Sequence, residues 1–261
     1  MIGVGLVLAA AAAIPARAET PDTRLDPRSA IERSEAAVGR SIGSYVLTDT
    51  TGTPVALSAY RGTPLIVSLV YSSCSAVCPA TTQHLIGAVS EARRVFGAEA
   101  FAVLTVGFDA RNDTPAHMAR FASMQGVRFD NWRVASADAG TLAALLRDLG
   151  FSYVTVAGGF DHVTQTTIID RDGKVYRHVY GDDFPVQMLI EPLKDTIYGT
   201  ATRFTFQGLF DRIRFICTTY DPGAGRYRID YGLVFGSVIA GLSLALLGGL
   251  IAREWRRATR A

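Results

Sequence analysis

The strongest constraint in this sequence is a stretch of 21 residues, 232–252, that contains no charged side chain. An α-helix rises about 1.5 Å per residue, so the stretch would extend about 31 Å, close to the thickness of a bilayer core. Four arginines follow within residues 253–261. The sequence therefore predicts a transmembrane helix at 232–252 and, by the positive-inside rule, a basic cytoplasmic tail at 253–261. The alternative is a buried helix of a soluble protein.

The first eighteen residues begin with a second apolar run, at 2–14. Ala16 and Ala18 form an A-x-A pattern directly before Glu19, which is typical of a secretory signal peptide and its cleavage site. An uncleaved short anchor is the alternative. Together the two ends predict a single-pass membrane protein with a C-terminal anchor, whose residues 19–231 lie on the exported, periplasmic side.

Charge argues against nucleic-acid partners. The chain has 26 basic and 24 acidic residues, a formal net charge of +2, and only 19% charged residues. When Arg17 and the 253–261 tail are set aside, the exported part carries a net charge of about −2. It therefore lacks the excess positive charge that is typical of nucleic-acid-binding domains. A specific site must therefore define its partner.

The exported part divides by pattern. Residues 19–40 are rich in Pro, Asp, Arg and Ala and predict a linker. Residues 41–200 alternate strand and helix patterns and end in a hairpin and a helix, which predicts an open α/β sheet domain. Predicted strands are 44–47, 65–71, 101–108, 132–134, 164–170 and 175–180, and predicted helices are 79–96, 115–124, 141–149 and 185–198.

The segment 201–231 carries seven aromatic residues and predicts a juxtamembrane segment packed on the domain or on the membrane surface.

The same segment also contains Cys217. An odd cysteine in an exported protein is a reactive thiol or an intermolecular partner, or simply a small buried apolar residue. A second metal site using Cys217 is a further hypothesis.

Two cysteines mark the chemistry. Cys74 and Cys78 follow the apolar run 65–71 and open the next predicted helix. Four-residue spacing places both sulfurs on one face of a helical turn, and a helix N-terminus stabilises the thiolate. The pair predicts a metal site or a reactive dithiol; a structural disulfide, or two small apolar residues at a junction, is the alternative.

A third ligand would come from histidine. His84 and His117 fall on predicted helices and are expected at the surface, and His178 lies within a predicted strand. His162 follows Gly158 and Gly159 in a loop just before a strand, where sites are often built. Spacing alone does not decide between a ligand and an ordinary loop histidine.

Three ordered motifs resemble one family. Residues 74–79 read Cys-Ser-Ala-Val-Cys-Pro, residues 109–115 have the form D-x-x-x-D-T-P, and Asp161-His162 precede a strand that ends in Asp-Arg-Asp-Gly at 170–173. Over residues 40–199 the sequence resembles the Sco/SenC family. That resemblance implies a thioredoxin-like fold that binds one copper ion through Cys74, Cys78 and His162.

The family role implied is maturation of the binuclear copper centre of cytochrome c oxidase, as copper donor, as thiol reductant of the receiving cysteines, or both. The expected partners are the copper-centre subunit of the oxidase, other copper chaperones or thioredoxin-like reductants, and the membrane. The chain departs from the family pattern in two ways. The 75–77 loop lacks the usual proline and acidic residue, and the anchor is C-terminal instead of N-terminal.

The proposed donor set suits copper chemically. Thiolate favours Cu(I) and imidazole also suits Cu(II), so two sulfurs and one nitrogen hold both oxidation states. Asp161 is expected either to orient the imidazole of His162 or to be merely solvated. Asp109 and Asp113 are expected to cap the helix near Thr114, or else to support the site or a docking partner.

Function therefore has one leading hypothesis and two alternatives. The leading one is a membrane-anchored copper metallochaperone, which is not a turnover enzyme. The second is a thiol–disulfide oxidoreductase using Cys74 and Cys78, although thioredoxin-type catalysis normally uses C-x-x-C and leaves His162 without a role. The third, a thiol peroxidase, requires Thr or Ser three residues before the reactive cysteine, where this chain has Tyr71.

Overall fold

A computed structural model describes residues 24–199, the strands at 218–221 and 226–229, and positions 239 and 243. Within this part the helices are α1 Pro27–Glu35, α2 Val77–Phe96, α3 Pro115–Gln125, α4 Ala139–Asp148 and α5 Gln187–Tyr198, with a 3₁₀ turn at Leu57–Tyr60. The strands are β1 Val46–Asp49, β2 Pro54–Ala56, β3 Leu65–Val70, β4 Ala102–Gly107, β5 Trp132–Ser136, β6 Tyr153–Val156, β7 Gly159–His162, β8 Gln165–Ile169, β9 Val175–Tyr180, β10 Thr218–Asp221 and β11 Arg226–Ile229.

Seven strands form the central sheet in the order β2-β1-β5-β4-β3-β8-β9. Strands β3, β4 and β5 are parallel, whereas β8 runs antiparallel to β3, and β9 in turn runs antiparallel to β8 at the edge of the sheet. The parallel strands need crossover connections, which α2 and α3 supply. Every residue of β3 and β4 is buried, which explains why both sequences are mainly apolar, with only Ser68 and Thr105 as polar residues. The predicted α/β class is confirmed.

The helices cover both faces of this sheet. One buried cluster joins α2, α3 and α5 to the sheet through residues such as Leu85, Phe121 and Leu193. The second cluster lies on the opposite face and includes Leu145 and Leu149 from the α4 region. The sheet is thus the middle of three layers, and the carboxyl end of β3 opens toward the start of α2.

Residues 27–35, inside the predicted linker 19–40, form helix α1. The side chain of Asp26 caps it by accepting from the amides of Arg28 and Ser29, and Pro27 occupies its first turn. Only Ala30 and Ser34 of the helix are buried, so the sequence shows no apolar period. Tertiary contacts hold it, since the buried Ser34 hydroxyl donates to Gln165 Oε1 at 2.6 Å.

A separate two-stranded sheet carries the predicted histidine. The sequence placed residues 158–162 in a loop, but β6 pairs with β7 and Tyr153 lies opposite His162. Gly158 has φ +88° in the turn, a backbone conformation that favours glycine. These strands are short and half-exposed, so their sequence carries little strand signal.

Most terminal predictions fall outside the described residues. These are the signal peptide at 1–18, Cys217, the tail at 253–261, nearly all of the transmembrane span at 232–252, and the juxtamembrane segment except for the β10–β11 pair at 218–221 and 226–229. In the portion that the structure describes, no helix has the length and apolar character needed to cross a membrane.

Candidate metal centre

The two cysteines lie where β3 passes into α2. The amide of Cys74 donates to the carbonyl oxygen of Tyr71 at 3.0 Å, which turns the chain directly after the strand. The amide of Cys78, in the first turn of α2, points at Cys74 Sγ at 3.3 Å. Both are free thiols; Cys78 is buried, at 3% exposure, and Cys74 is half-buried. The junction therefore presents Cys74 and keeps Cys78 behind it.

The pKa values of the two thiols move in opposite directions. Burial opposes ionisation of Cys74, but hydrogen bonds from the backbone amides of Cys78 and Ala76, and from the side chains of Cys78 and Tyr71, outweigh it and lower the pKa of Cys74. Burial strongly raises the pKa of Cys78, and its proximity to Cys74 adds to the effect. Cys74 therefore ionises before Cys78, which keeps its proton to higher pH.

Tyr71 connects the cysteines to the aromatic residues around His162. Burial, followed by a hydrogen bond to Cys74, raises the pKa of its phenol to about 12. Its ring packs edge-on against Phe108, Phe160 and His162, with centroid separations of 5.4, 5.1 and 6.2 Å. Sequence reasoning missed this role, although an aromatic residue three positions before Cys74 was the available signal.

Glycine at 159 makes room for that ring. A Cβ atom at this position would lie 2.8 Å from the hydroxyl oxygen of Tyr71. Any larger side chain would therefore push apart the β6–β7 hairpin and the end of β3. The Gly158-Gly159 pair noted in the sequence thus serves both the hairpin turn and the approach of Tyr71.

His162 ends β7 and is half-buried among aromatic rings. Its centroid lies 5.2 Å from that of Phe108 and 5.5 Å from that of Phe151. Nδ1 lies 3.3 Å from the carbonyl oxygen of Val163, a weak contact that leaves Nε2 for another partner. Burial lowers the pKa of His162, so the imidazole is neutral at neutral pH, the form that binds metals.

Asp161, the neighbour of His162, has a hydrogen-bond partner in the segment before α1. Its Oδ2 accepts from the amide of Leu25 at 3.0 Å and thereby ties the segment before α1 to the hairpin. Successive residues of a strand point to opposite faces, which explains why Asp161 and His162 contact different neighbours.

Asp113 supports the cysteine loop. It does not cap α3, because Thr114 is the N-cap and accepts from the amide of His117. Its oxygens instead accept from the amides of Ser72 at 2.8 Å and Asp109 at 2.9 Å. The carboxylate joins the β4–α3 loop to the loop that carries Cys74, so the capping prediction is replaced by a site-supporting role.

Asp109 shapes the same β4–α3 loop from within. Its carboxylate accepts from the amide of Arg111 at 3.2 Å and from Asn112 Nδ2 at 2.7 Å. It therefore closes the turn that brings Asp113 toward Ser72, and it does not cap α3 either.

The other histidines have structural partners. His84 Nε2 lies 2.6 Å from the carbonyl oxygen of Phe184 on a half-buried face. His178 is buried, with Nδ1 3.0 Å from Thr167 Oγ1. His117 is exposed, as expected, and Nδ1 contacts the carbonyl oxygen of Asn112. It nevertheless lines a cavity beside Cys74.

The structure brings Cys74 and Cys78 together and links them to His162 through Tyr71. Over the described ranges, no group of three or more His, Cys, Asp and Glu residues converges closely enough to hold a metal ion. The donors themselves fit copper, because two sulfurs are joined by a neutral imidazole. For all three to bind one ion, the β6–β7 hairpin or the 74–78 loop must move toward the other.

This architecture defines a thioredoxin-like protein: a three-layer sheet domain whose dithiol lies at the start of the helix after a central strand. The chain belongs to the SCO1/SenC family, whose sequence profile matches residues 33–197. The expected fold is thereby confirmed. No match is found among curated proteins.

Solved structures show the same fold. A protein of Aquifex aeolicus, provisionally described as an electron transfer protein, is 26% identical with a TM-score of 0.56, over 60% of this chain and 92% of its own. BsSco, a member of the Sco family of cytochrome c oxidase assembly proteins in which a disulfide switch was identified, is 18% identical with a TM-score of 0.55, over 61% and 94%. Arabidopsis thaliana ScoI, solved with copper bound, is 15% identical with a TM-score of 0.51, over 59% and 96%.

Proposed function

We propose that this protein is a copper metallochaperone that binds one copper ion through Cys74, Cys78 and His162. The observation that carries the proposal is the sulfur of Cys74, which accepts hydrogen bonds from amides at the start of α2 beside a second sulfur and whose pKa is lowered by them. Family membership and the copper-bound Arabidopsis relative support it. The receiving site is the binuclear copper centre of cytochrome c oxidase, in keeping with the assembly role described for BsSco.

Each ligand has a separate part in capture. The Cys74 thiolate is available first, since its pKa is lowered and it is half-exposed. Cys78 must lose a proton to bind, because burial raises its pKa. Copper uptake therefore releases a proton and strengthens as pH rises. Neutral His162 completes a set that accommodates Cu(I) and Cu(II).

Location belongs to the same proposal. A signal peptide at 1–18 and an anchor at 232–252 hold the domain on the periplasmic side, beside a membrane-embedded oxidase. Either end of a chain can supply such a tether without changing the side on which the domain lies. Delivery then takes place between two proteins confined to one membrane surface.

The test is copper titration of the reduced full chain, purified in mild detergent. Wild type should bind one copper per chain and show a thiolate-to-Cu(II) charge-transfer band. His162→Ala should weaken or shift that band, and Cys74→Ser should abolish it. His117→Ala is the matched control, because that exposed histidine also lies near Cys74, and its spectrum should be unchanged. Identical spectra for wild type and His162→Ala would remove His162 from the site.

A second function is favoured by the opposite pKa shifts of the two thiols. In it the Cys74 thiolate attacks a partner disulfide, one partner sulfur leaves as thiolate, and Cys78 then displaces the other, giving a Cys74–Cys78 disulfide and a reduced partner. An external dithiol would restore the protein. Disulfide reduction by a chain that binds no copper would favour this function over metal delivery.

A further inference from the structure

A groove opens on the α3 side of Cys74. It encloses about 310 Å³ between the cysteine loop, the first turn of α2 and one face of α3. Cys74 forms part of its wall, and Arg120, Phe121 and Met124 line it from α3. Its volume is at the small end of ligand sites, roughly 300–1,000 Å³, which suits a few residues of extended peptide.

The groove carries positive charge without an internal partner. Arg120 is exposed, and within residues 24–199 its side chain has neither an ion pair nor a hydrogen bond. None of the residues that line the groove is Asp or Glu. The negative charge nearest in the chain, Asp113, is buried and committed to the amides of Ser72 and Asp109. An anionic ligand is therefore the electrostatic complement of this surface.

The rest of the groove offers apolar contact. Met124 is 74% exposed, whereas Phe121 beneath it is buried at 5%. Pro79 adds an apolar wall from the first turn of α2. An exposed, flexible methionine over an aromatic floor is a typical adaptable surface for binding apolar side chains.

The two walls are held in fixed positions before any ligand arrives. Gln83 of α2 donates from Nε2 to the backbone oxygen of Gln125 at 2.7 Å and to its Oε1 at 3.1 Å. At the other end, the amide of Ser72 is bound by Asp113. Binding in a preformed groove avoids much of the cost of ordering it.

We propose that this groove seats an acidic, cysteine-bearing segment of the client protein, with a carboxylate at Arg120, an apolar side chain on Met124 and Phe121, and the client sulfur at Cys74. This inference rests on the proposed function, because it names the partner chemistry of the same site. The groove selects clients by the residues that flank their cysteine, and Arg120 is the residue that discriminates.

The test uses a Cys78→Ser, Cys217→Ser background, in which Cys74 is the only thiol of the chain. Peptides with one cysteine, activated as a thionitrobenzoate disulfide, carry flanking Glu, Gln or Lys. The Cys74 thiolate forms a disulfide with the peptide sulfur, and thionitrobenzoate leaves as a coloured thiolate. We expect the rate to follow Glu, then Gln, then Lys, with about threefold to fivefold between the extremes, as for an exposed ion pair.

Three substitutions test which residues cause the peptide preference. Arg120→Glu should invert the order of the peptide rates, and Met124→Ser should slow the reaction of all three peptides. Arg128→Glu is the matched control, since that exposed arginine follows α3 outside the groove, and it should keep the wild-type order. A neutral dipyridyl disulfide should react equally with every variant, which isolates docking from thiol reactivity. Equal rates for the three peptides, or equal effects of the two arginine changes, would overturn the proposal.

Copper titration of Arg120→Glu with Cys78 and Cys217 intact separates this proposal from the previous one. We expect one copper per chain with wild-type spectra. Loss of copper together with the peptide preference would mean that Arg120 acts on the metal site, which would overturn selection by the groove. Absence of copper binding in wild type, with the peptide preference intact, would refute the metallochaperone proposal and leave the groove as the docking site of a thiol exchanger.

Discussion

Cys74 and Cys78 are four residues apart, but their thiols lie in different environments and therefore ionise differently. Cys74 receives the first amides of α2 at the edge of solvent, and Cys78 is enclosed one turn later. Cys74 therefore ionises more readily and is the more reactive nucleophile, whereas Cys78 keeps its proton to higher pH. Tyr71 adds a hydrogen bond that favours ionisation of Cys74.

We predict that alkylation distinguishes the two cysteines. The thiolate is the reactive form, so in the reduced full chain iodoacetamide should label Cys74 at lower pH than an ordinary cysteine, and Cys78 only at much higher pH. Tandem mass spectrometry across a pH series assigns the label to each position. Tyr71→Phe removes one hydrogen bond to the Cys74 sulfur and should therefore raise the pH at which Cys74 is labelled. A common midpoint for both cysteines would contradict the assignment.

At the scale of elements, the β4–α3 loop positions the β3–α2 loop, and a glycine permits it. A Cβ atom on Gly107 would lie 2.5 Å from Cβ of Asp113, whose carboxylate binds Ser72. The absent side chain is what lets Asp113 reach across from one loop to the other. The strand end, the helix start and the cysteine loop therefore form one supported unit.

Gly107→Ala should break that unit. Displacing Asp113 leaves buried amides unsatisfied, and we expect a loss of about 1–3 kcal/mol in unfolding free energy, measured by urea denaturation, together with weaker copper binding. Gly87→Ala is the matched control, because its new Cβ meets nothing within 4 Å on an exposed helix position. That change should stabilise the protein by roughly 0.5–1 kcal/mol. Equal effects of the two substitutions would argue against the Asp113 mechanism.

The elements that can be predicted from the sequence are those whose own residues show an apolar pattern or a turn motif. The apolar run of β3 and the β8–β9 hairpin around 171–174 are found within one or two residues of the predictions. Helix α1 and the β6–β7 hairpin were not found, because polar capping and aromatic packing from distant residues stabilise them. The cysteine pair could be predicted from spacing, whereas the contacts of Tyr71 and Asp113 depend on residues brought together only by folding.

For the whole molecule, buried histidine makes stability depend on pH. His178 is buried, and burial, partly offset by a hydrogen bond at Ser34 and the charge of Glu35, lowers its pKa below the ordinary 6.5. Because the unfolded chain takes up the proton more readily, this contribution is complete above about pH 6.5 and is lost as pH falls toward the folded pKa. His162 adds a contribution of the same sign.

His178→Leu should therefore flatten the acid side of the stability curve. Thermal unfolding of wild type and variant between about pH 7 and pH 5 measures the slope. Thr167→Val is the control, because it removes the hydrogen bond to Nδ1 but keeps the imidazole, and its acid sensitivity should persist. If His178→Leu kept the full wild-type slope, the buried histidine would not be its source.

The predicted transmembrane anchor at 232–252 should determine whether the whole chain stays in the membrane. The full protein should stay in the membrane fraction after washing with alkaline carbonate, since 21 uncharged residues at 232–252 suffice to span a bilayer. A chain that stops at residue 231 should be released by the same wash. Retention of the shortened chain would place the membrane attachment elsewhere.

The separate support of the β6–β7 hairpin has a kinetic consequence. The imidazole of His162 lies on the separate two-stranded sheet β6–β7, whereas the two cysteine sulfurs lie at the end of β3 in the seven-stranded sheet. The proposed ligands are therefore held by two elements that can move independently. If the three proposed ligands bind copper, the imidazole would be free to move away independently of the two sulfurs and give an incoming ligand access. On the proposed ligand set, the residence time of copper would then depend on the hairpin turn and its aromatic packing, and substitutions there should change the rate of copper transfer without altering a ligand.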